Sequence, residues 1–161
     1  MTKQSSLRIS SVEEAAKVLD YFNGFHDGFM KRVGIISSDE IDEDHGQSCT
    51  GLFEVEIDFA HYNYPSGEAP FHPHNQIVHA RFSKVQDIFC DFREGFLGNT
   101  IISLSVALAN RRKGGATSAE PCLGLQLTRH FYLEEFRRFE LRQSQLFTFA
   151  EATFQEEPPR A

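Results

Sequence analysis

The sequence predicts a mainly β domain, an antiparallel β-sandwich or flattened barrel carrying one N-terminal helix. Three observations predict it. Residues 51–59, GLFEVEIDF, alternate without a break: Phe53, Val55, Ile57 and Phe59 fall on one face, and Glu54, Glu56 and Asp58 on the other. That is the period-2 pattern of a strand with one face in a core and one in water. Further short segments of alternating character recur along the chain, separated by turn-forming residues. The aromatic content is lopsided, with 16 Phe, 4 Tyr and no Trp, and such wholly apolar rings fill the space between packed sheets without needing buried hydrogen-bond partners.

At 161 residues the chain fits a single domain, long enough to bury about two-thirds of its unfolded surface without disulfide or metal staples. The helix is expected over about residues 11–23, the sheet over about 25–154, and a polar tail over 155–161. Ser11 and Glu14 form a capping box: the Ser11 hydroxyl accepts from the Glu14 backbone N–H, and the Glu14 carboxylate reaches back. Val12, Ala15, Ala16, Leu19 and Phe22 follow at helical spacing, and Gly24 sits where a left-handed residue ends the helix.

Residues 25–37 read as a first strand, with a bulge or twist expected near Gly34. Residues 38–48 are acidic and turn-rich and read as the tip of a hairpin leading into strand 51–59. Three carboxylates on one face of that strand repel one another, so the face must be solvated or matched by cations of a neighbouring strand. Residues 65–75 hold three prolines and read as a loop. Residues 77–82, IVHARF, return to alternation, with Val78, Ala80 and Phe82 on one face and Ile77, His79 and Arg81 on the other.

A further strand is expected over 85–92. The large-small alternation of residues 100–109 predicts a central strand whose small face allows close approach of the helix, the second sheet or another subunit. Residues 121–128 add a strand paired to it through a long hairpin loop at 111–120. Residues 132–141 favour helix, through the spacing of Leu133 with Phe136 and of Glu134 with Arg138. Residues 144–154 make the last of about seven strands.

The formal net charge of −7 and sequence pI of about 5.5 argue against nucleic acid, because neutralising phosphates takes a surplus of Lys and Arg. Arg111, Arg112 and Lys113 precede two glycines and read as a solvated hairpin tip. Cys49, Cys90 and Cys122 are widely spaced and suggest neither a disulfide framework nor a zinc ribbon. No apolar run approaches the roughly 18 residues of a membrane span. A cytoplasmic, soluble protein without a membrane partner is the expectation.

Three constellations bear on chemistry. His72 and His74, with His79 five residues on, are imidazoles able to converge on one ion from an extended segment. Gly67, His72 and His74 resemble the first motif of the cupins, with His79 where the family has Glu and Gln86 in place of the closing Gly; the family's second motif is missing downstream. The resemblance implies a metal-dependent enzyme using a divalent transition metal. Strand parity opposes it, since His72 and His74 share the face of Val78 and Ala80 while His79 points the other way. His26 and Asp27 are a candidate oriented base, against the plainer reading of an Asp that closes a turn. Phe25-His26-Asp27-Gly28 opening a strand resembles small bacterial β-rich domains, some grouped with toxin-immunity proteins, and this implies a non-catalytic protein with no functional residue to carry over.

His61 and His130 read as strand histidines, and no serine or cysteine nucleophile has a base nearby in sequence. The sequence therefore favours a non-enzymatic interaction module that uses no cofactor. Asp39, Glu40, Asp42, Glu43 and Asp44, with Glu54, Glu56 and Asp58, would meet a basic protein partner. The alternatives are the cupin-like enzyme on His72, His74 and His79, and a carrier of small apolar ligands. Self-association is left open.

Overall fold

A computed structural model describes residues 6–44, 46–61, 76–88, 100–112, 119–133 and 138–157. Its ten strands are β1 (Leu7–Ile9), β2 (Phe29–Ser37), β3 (Glu40–Ile41), β4 (Gln47–Ser48), β5 (Phe53–His61), β6 (Gln76–Val85), β7 (Ile101–Arg112), β8 (Ala119–Leu133), β9 (Arg138–Phe149) and β10 (Glu151–Glu156). One helix, α1 (Val12–Tyr21), lies between β1 and β2 and is followed by a 3-10 turn at Asn23–Phe25. All described pairings are antiparallel. They build a five-stranded sheet ordered β1-β10-β6-β5-β2, a three-stranded sheet ordered β7-β8-β9, and the small β3-β4 ribbon. The sheets do not close into a barrel, so the flattened-barrel alternative falls to the sandwich.

Parity puts the apolar residues where the alternation places them. Val55, Ile57 and Phe59 of β5 and Val78, Ala80 and Phe82 of β6 are all buried, and they share one core with Leu104, Leu123, Leu125, Leu127, Phe147 and Phe149 of the three-stranded sheet. Phe82 meets Phe147 and Phe149 edge-on at 4.9 and 5.1 Å between ring centres, the geometry that sets the positive edge of one ring against the negative face of the next.

Helix α1 buries Ala15, Val18 and Leu19 and packs against β1 and β7. Ser11 caps it as expected, accepting from Glu14 N at 3.1 Å. The return bond differs, because the Glu14 carboxylate takes Ser10 N and Ser10 Oγ, both at 2.7 Å. These bonds hold the Glu14 carboxyl below its ordinary pKa.

Several segments depart from expectation. The first strand starts at Phe29 rather than residue 25, because Asn23, Gly24, Phe25 and Asp27 all have positive φ and form a compact turn. That turn docks on β7 through Asp27 N to Ile101 O at 2.9 Å and Ile101 N to Gly28 O at 2.8 Å. The irregularity of β2 sits between Met30 and Arg32, not at Gly34. No separate strand begins at 85: β6 runs through to Val85, and Gln86 makes an isolated bridge to Thr148, the rest of 85–92 lying partly outside the described residues.

Expected as central, β7 is an edge of its sheet, and β8 is the centre. Residues 132–141 are not helical where described; Leu133 pairs with Arg138 in the β8-β9 hairpin. The 144–154 strand exists but bends at Ala150, so that β9 pairs with β8 and β10 with β6. This bend carries the chain from one sheet to the other, and Gln86 and Thr148 exchange two backbone hydrogen bonds at the seam. Strand β1 was not foreseen.

Candidate functional site

Strands β5 and β2 continue beyond the five-stranded sheet as a ribbon. Ser38 N bonds Leu52 O at 2.9 Å, and β3 then pairs with β4, Glu40 opposite Ser48 and Ile41 opposite Gln47. Asp39 locks the junction: its Oδ1 accepts from Thr50 N at 2.6 Å, Thr50 Oγ1 at 3.2 Å and Gly51 N at 3.3 Å. The Thr50 backbone bond, foremost, holds the Asp39 carboxyl below its ordinary range. Asp42 Oδ1 closes the tip by accepting from Gly46 N at 2.6 Å and Asp44 N at 3.1 Å. The hairpin tip expected at 38–48 is thus present, with β3 paired to β4 and two aspartates supplying turn bonds that the backbone cannot.

The eight acidic residues divide into two sets. Glu54, Glu56 and Asp58 on the outer face of β5 are matched across the sheet. Glu54 bonds Arg81 of β6, Glu56 bonds Arg32 of β2 at 2.9 Å, and Asp58 lies 2.7 Å from His79 Nδ1 and 3.9 Å from Arg32. The Glu54 hydrogen bond raises the Arg81 pKa. Of the two fates that like charges on one strand face allow, pairing with cations of the neighbouring strands is the one realised. Glu40, Glu43 and Asp44, on the hairpin, are exposed and have no side-chain ion pair among the described residues.

Apolar side chains stand out in the same region. Strand β2 is the outer edge of its sheet, and along it Ile35 and Ile36 are 50% and 48% exposed, with Ile41 on the hairpin 71% exposed. Lys31, near the start of β2, is exposed and has no ion pair among the described residues. Sequence reasoning missed these apolar residues as a surface. The signal was the Ile35-Ile36 doublet, in which one of two neighbours must face away from the core, and Ile41 standing alone among acids.

The metal candidates are not brought together by anything on view. His72 and His74 lie outside the described residues. His79 is on the outer face as its parity requires, between Asp58 and Glu157, which is 3.8 Å from its Nε2. Among the described residues no group of three or more His, Cys, Asp and Glu is placed to hold a metal ion. His26 and Asp27, expected to diverge as strand neighbours, do meet, with Nδ1 3.0 Å from Oδ2, because Asp27 is left-handed at φ 61°. Both remain about half exposed, so water screens the contact.

A groove of about 710 Å³ runs beside the start of α1, lined by Val12, Val106, Leu108, Cys122 and Leu123 among others. Leu108 of β7, in its wall, is 77% exposed. Cys122 is a buried free thiol and Cys49 an exposed one; Cys90 lies outside the described residues.

No family model, curated protein or solved structure matches this chain. Among the described residues no helix is long and apolar enough to cross a membrane.

Proposed function

We propose that this protein is a non-enzymatic interaction module, and that its docking surface is the outer edge of β2 beyond its Phe29–Thr100 bridge, together with the β3-β4 hairpin that prolongs it. The observation that carries the reading is the placement of Ile35, Ile36 and Ile41, each about half exposed or more, beside the carboxylates of Glu40, Glu43 and Asp44, which have no ion pair among the described residues. Apolar side chains at an open strand edge favour a partner that adds a strand, where main-chain bonds give affinity and alternate side chains give specificity. The carboxylates set the sign of that partner, which is a basic extended segment. Glu54, Glu56 and Asp58 contribute less than their number suggests, since each is already opposed by Arg81, Arg32 or His79. The resemblance of Phe25-His26-Asp27-Gly28 to immunity-like domains points to the same non-catalytic class.

A peptide of alternating Lys and Ile tests the reading by isotope-edited NMR titration. Shift changes confined to residues 33–44, weakening as salt rises and lost in a Glu40→Gln, Glu43→Gln, Asp44→Asn variant, are expected. Changes scattered over the surface, or no binding, would overturn it.

A further inference from the structure

We propose that the pocket of about 470 Å³ beside Ile35 takes an arginine side chain of the strand that adds to the β2 edge, with its guanidinium on Asp87. The inference rests on the interaction-module reading and names the side chain that the basic partner must carry. Parity places the pocket. Ile35 pairs with Val55 and Ser37 with Phe53, and Val55 is buried, so Ile35 and Phe53 stand on the core-side face of the sheet. Ile35 is nonetheless half exposed, and it lines the pocket together with Gly51, Phe53, Gln86, Asp87 and Ile88. Gly51 puts no side chain into this space, and the place its Cβ would take has no atom within 4 Å. A strand added along β2 turns every second side chain to the same face, beside Ile35.

The lining selects the chemistry. Gln86 is pinned to β9 by two backbone hydrogen bonds, Gln86 N to Thr148 O at 3.0 Å and Thr148 N to Gln86 O at 2.9 Å, which fixes where the next residue begins. Asp87 then turns left-handed at φ 51°, a conformation that aspartate tolerates better than most side chains. Its Oδ2 has one long contact, from the buried Thr148 hydroxyl at 3.4 Å, and that hydroxyl is shared with Gln86 O at 3.2 Å. A hydroxyl carries one proton, so the carboxylate is short of donors, and no cation among the described residues stands against it. The Gln86 carboxamide brings a second acceptor to the same wall. An arginine answers the whole set: its stem lies along Ile35 and Ile88, its guanidinium rests against the Phe53 ring, and its N–H groups reach Asp87 and Gln86. Lysine supplies the charge but neither the fork of donors nor the planar face.

Peptide titration of the full chain by NMR tests this. The peptide alternates Thr and Ile, ends in two Lys for the hairpin acids, and carries arginine, lysine or citrulline at its centre, citrulline keeping the shape of arginine without its charge. The citrulline peptide should bind about tenfold more weakly than the arginine peptide, with lysine between them. Asp87→Asn suits the left-handed backbone; it should bring the arginine peptide down to the citrulline level and leave the citrulline peptide unchanged. Intermolecular NOEs should join the arginine δ protons to Phe53 and Ile88. Should Asp87→Asn melt early, the arginine-citrulline contrast and the NOEs on the wild type decide by themselves. Equal binding of the arginine and citrulline peptides, or an equal loss for both in Asp87→Asn, would sink the proposal. If all three peptides bind equally at residues 33–44, the pocket is refuted and the module kept; if none of them binds, nor the Lys/Ile peptide, both fall.

Discussion

Two runs of carboxylates lie next to each other in this chain and meet opposite fates. Glu54, Glu56 and Asp58 sit on a strand with neighbours on both sides, so Arg81 and Arg32 offset Glu54 and Glu56, and His79 and Arg32 stand beside Asp58. Glu40, Glu43 and Asp44 sit on a two-stranded ribbon outside the sheet, and no cation of the described chain reaches them. The difference teaches that a count of acidic residues does not measure an acidic surface. What matters is whether the strand on either side brings a cation into register, and that is a property of strand order.

The largest test of the contrast is on the opposite face of the same strand. Ile57 is 1% exposed, so Ile57→Asp buries an unpaired charge. It should remove about 4 kcal/mol or more, enough to unfold the domain in thermal melts. Retention of a cooperative transition near that of the wild type would mean that β5 is turned the other way. Glu56→Lys sets a second cation beside Arg32 on the solvated face and should remove less than about 1 kcal/mol, measured by urea unfolding, because an exposed ion pair contributes little. A loss comparable with that of Ile57→Asp would show the ladder to be structural.

Acid should act on the hairpin before the sheet. The backbone N–H of Thr50, foremost, holds the Asp39 carboxyl below the ordinary carboxylate range, so the stability it lends the ribbon is fully present above that range. It is lost as pH falls through the lower folded value. Amide exchange at Thr50 and Gly51, corrected for its intrinsic pH dependence, should therefore accelerate below about pH 4, while amides of β5 and β6 stay protected, and Asp39→Asn should show the fast exchange already at neutral pH. Smallest of all, Glu43→Gln with Asp44→Asn should change stability by less than about 0.5 kcal/mol, since neither side chain has an intramolecular ion pair among the described residues. A larger loss would mean that the hairpin acids, like those of β5, serve the fold.

Much of the sheet architecture was legible. Strand β5, the alternation of β6 and the capping box at Ser11 were readable because each is a local pattern, fixed by period 2 or by a four-residue spacing. Other features were not, and the reasons are physical. Residues 132–141 combine helical spacing with strand composition, and pairing with β8 overrides the local preference. The turn at Asn23–Phe25 places Phe25 at φ 57° while burying it completely; only the core that receives the ring makes that conformation tolerable. A three-residue strand such as β1 carries too few positions to show a period.

The sequence by itself determined the class of fold, the inward set of phenylalanines and aliphatics, and the need of the β5 carboxylates for water or cations. Those follow from the side-chain period of a strand and from the cost of burying like charges. The tertiary structure alone decided which of the two the carboxylates received, that β2 rather than β5 is the edge, that one strand bends at Ala150 to serve both sheets, and that Ile35, Ile36 and Ile41 are left in solvent. Each of these depends on which strand lies beside which, and strand order is set by contacts between residues far apart in the chain, which no local pattern encodes.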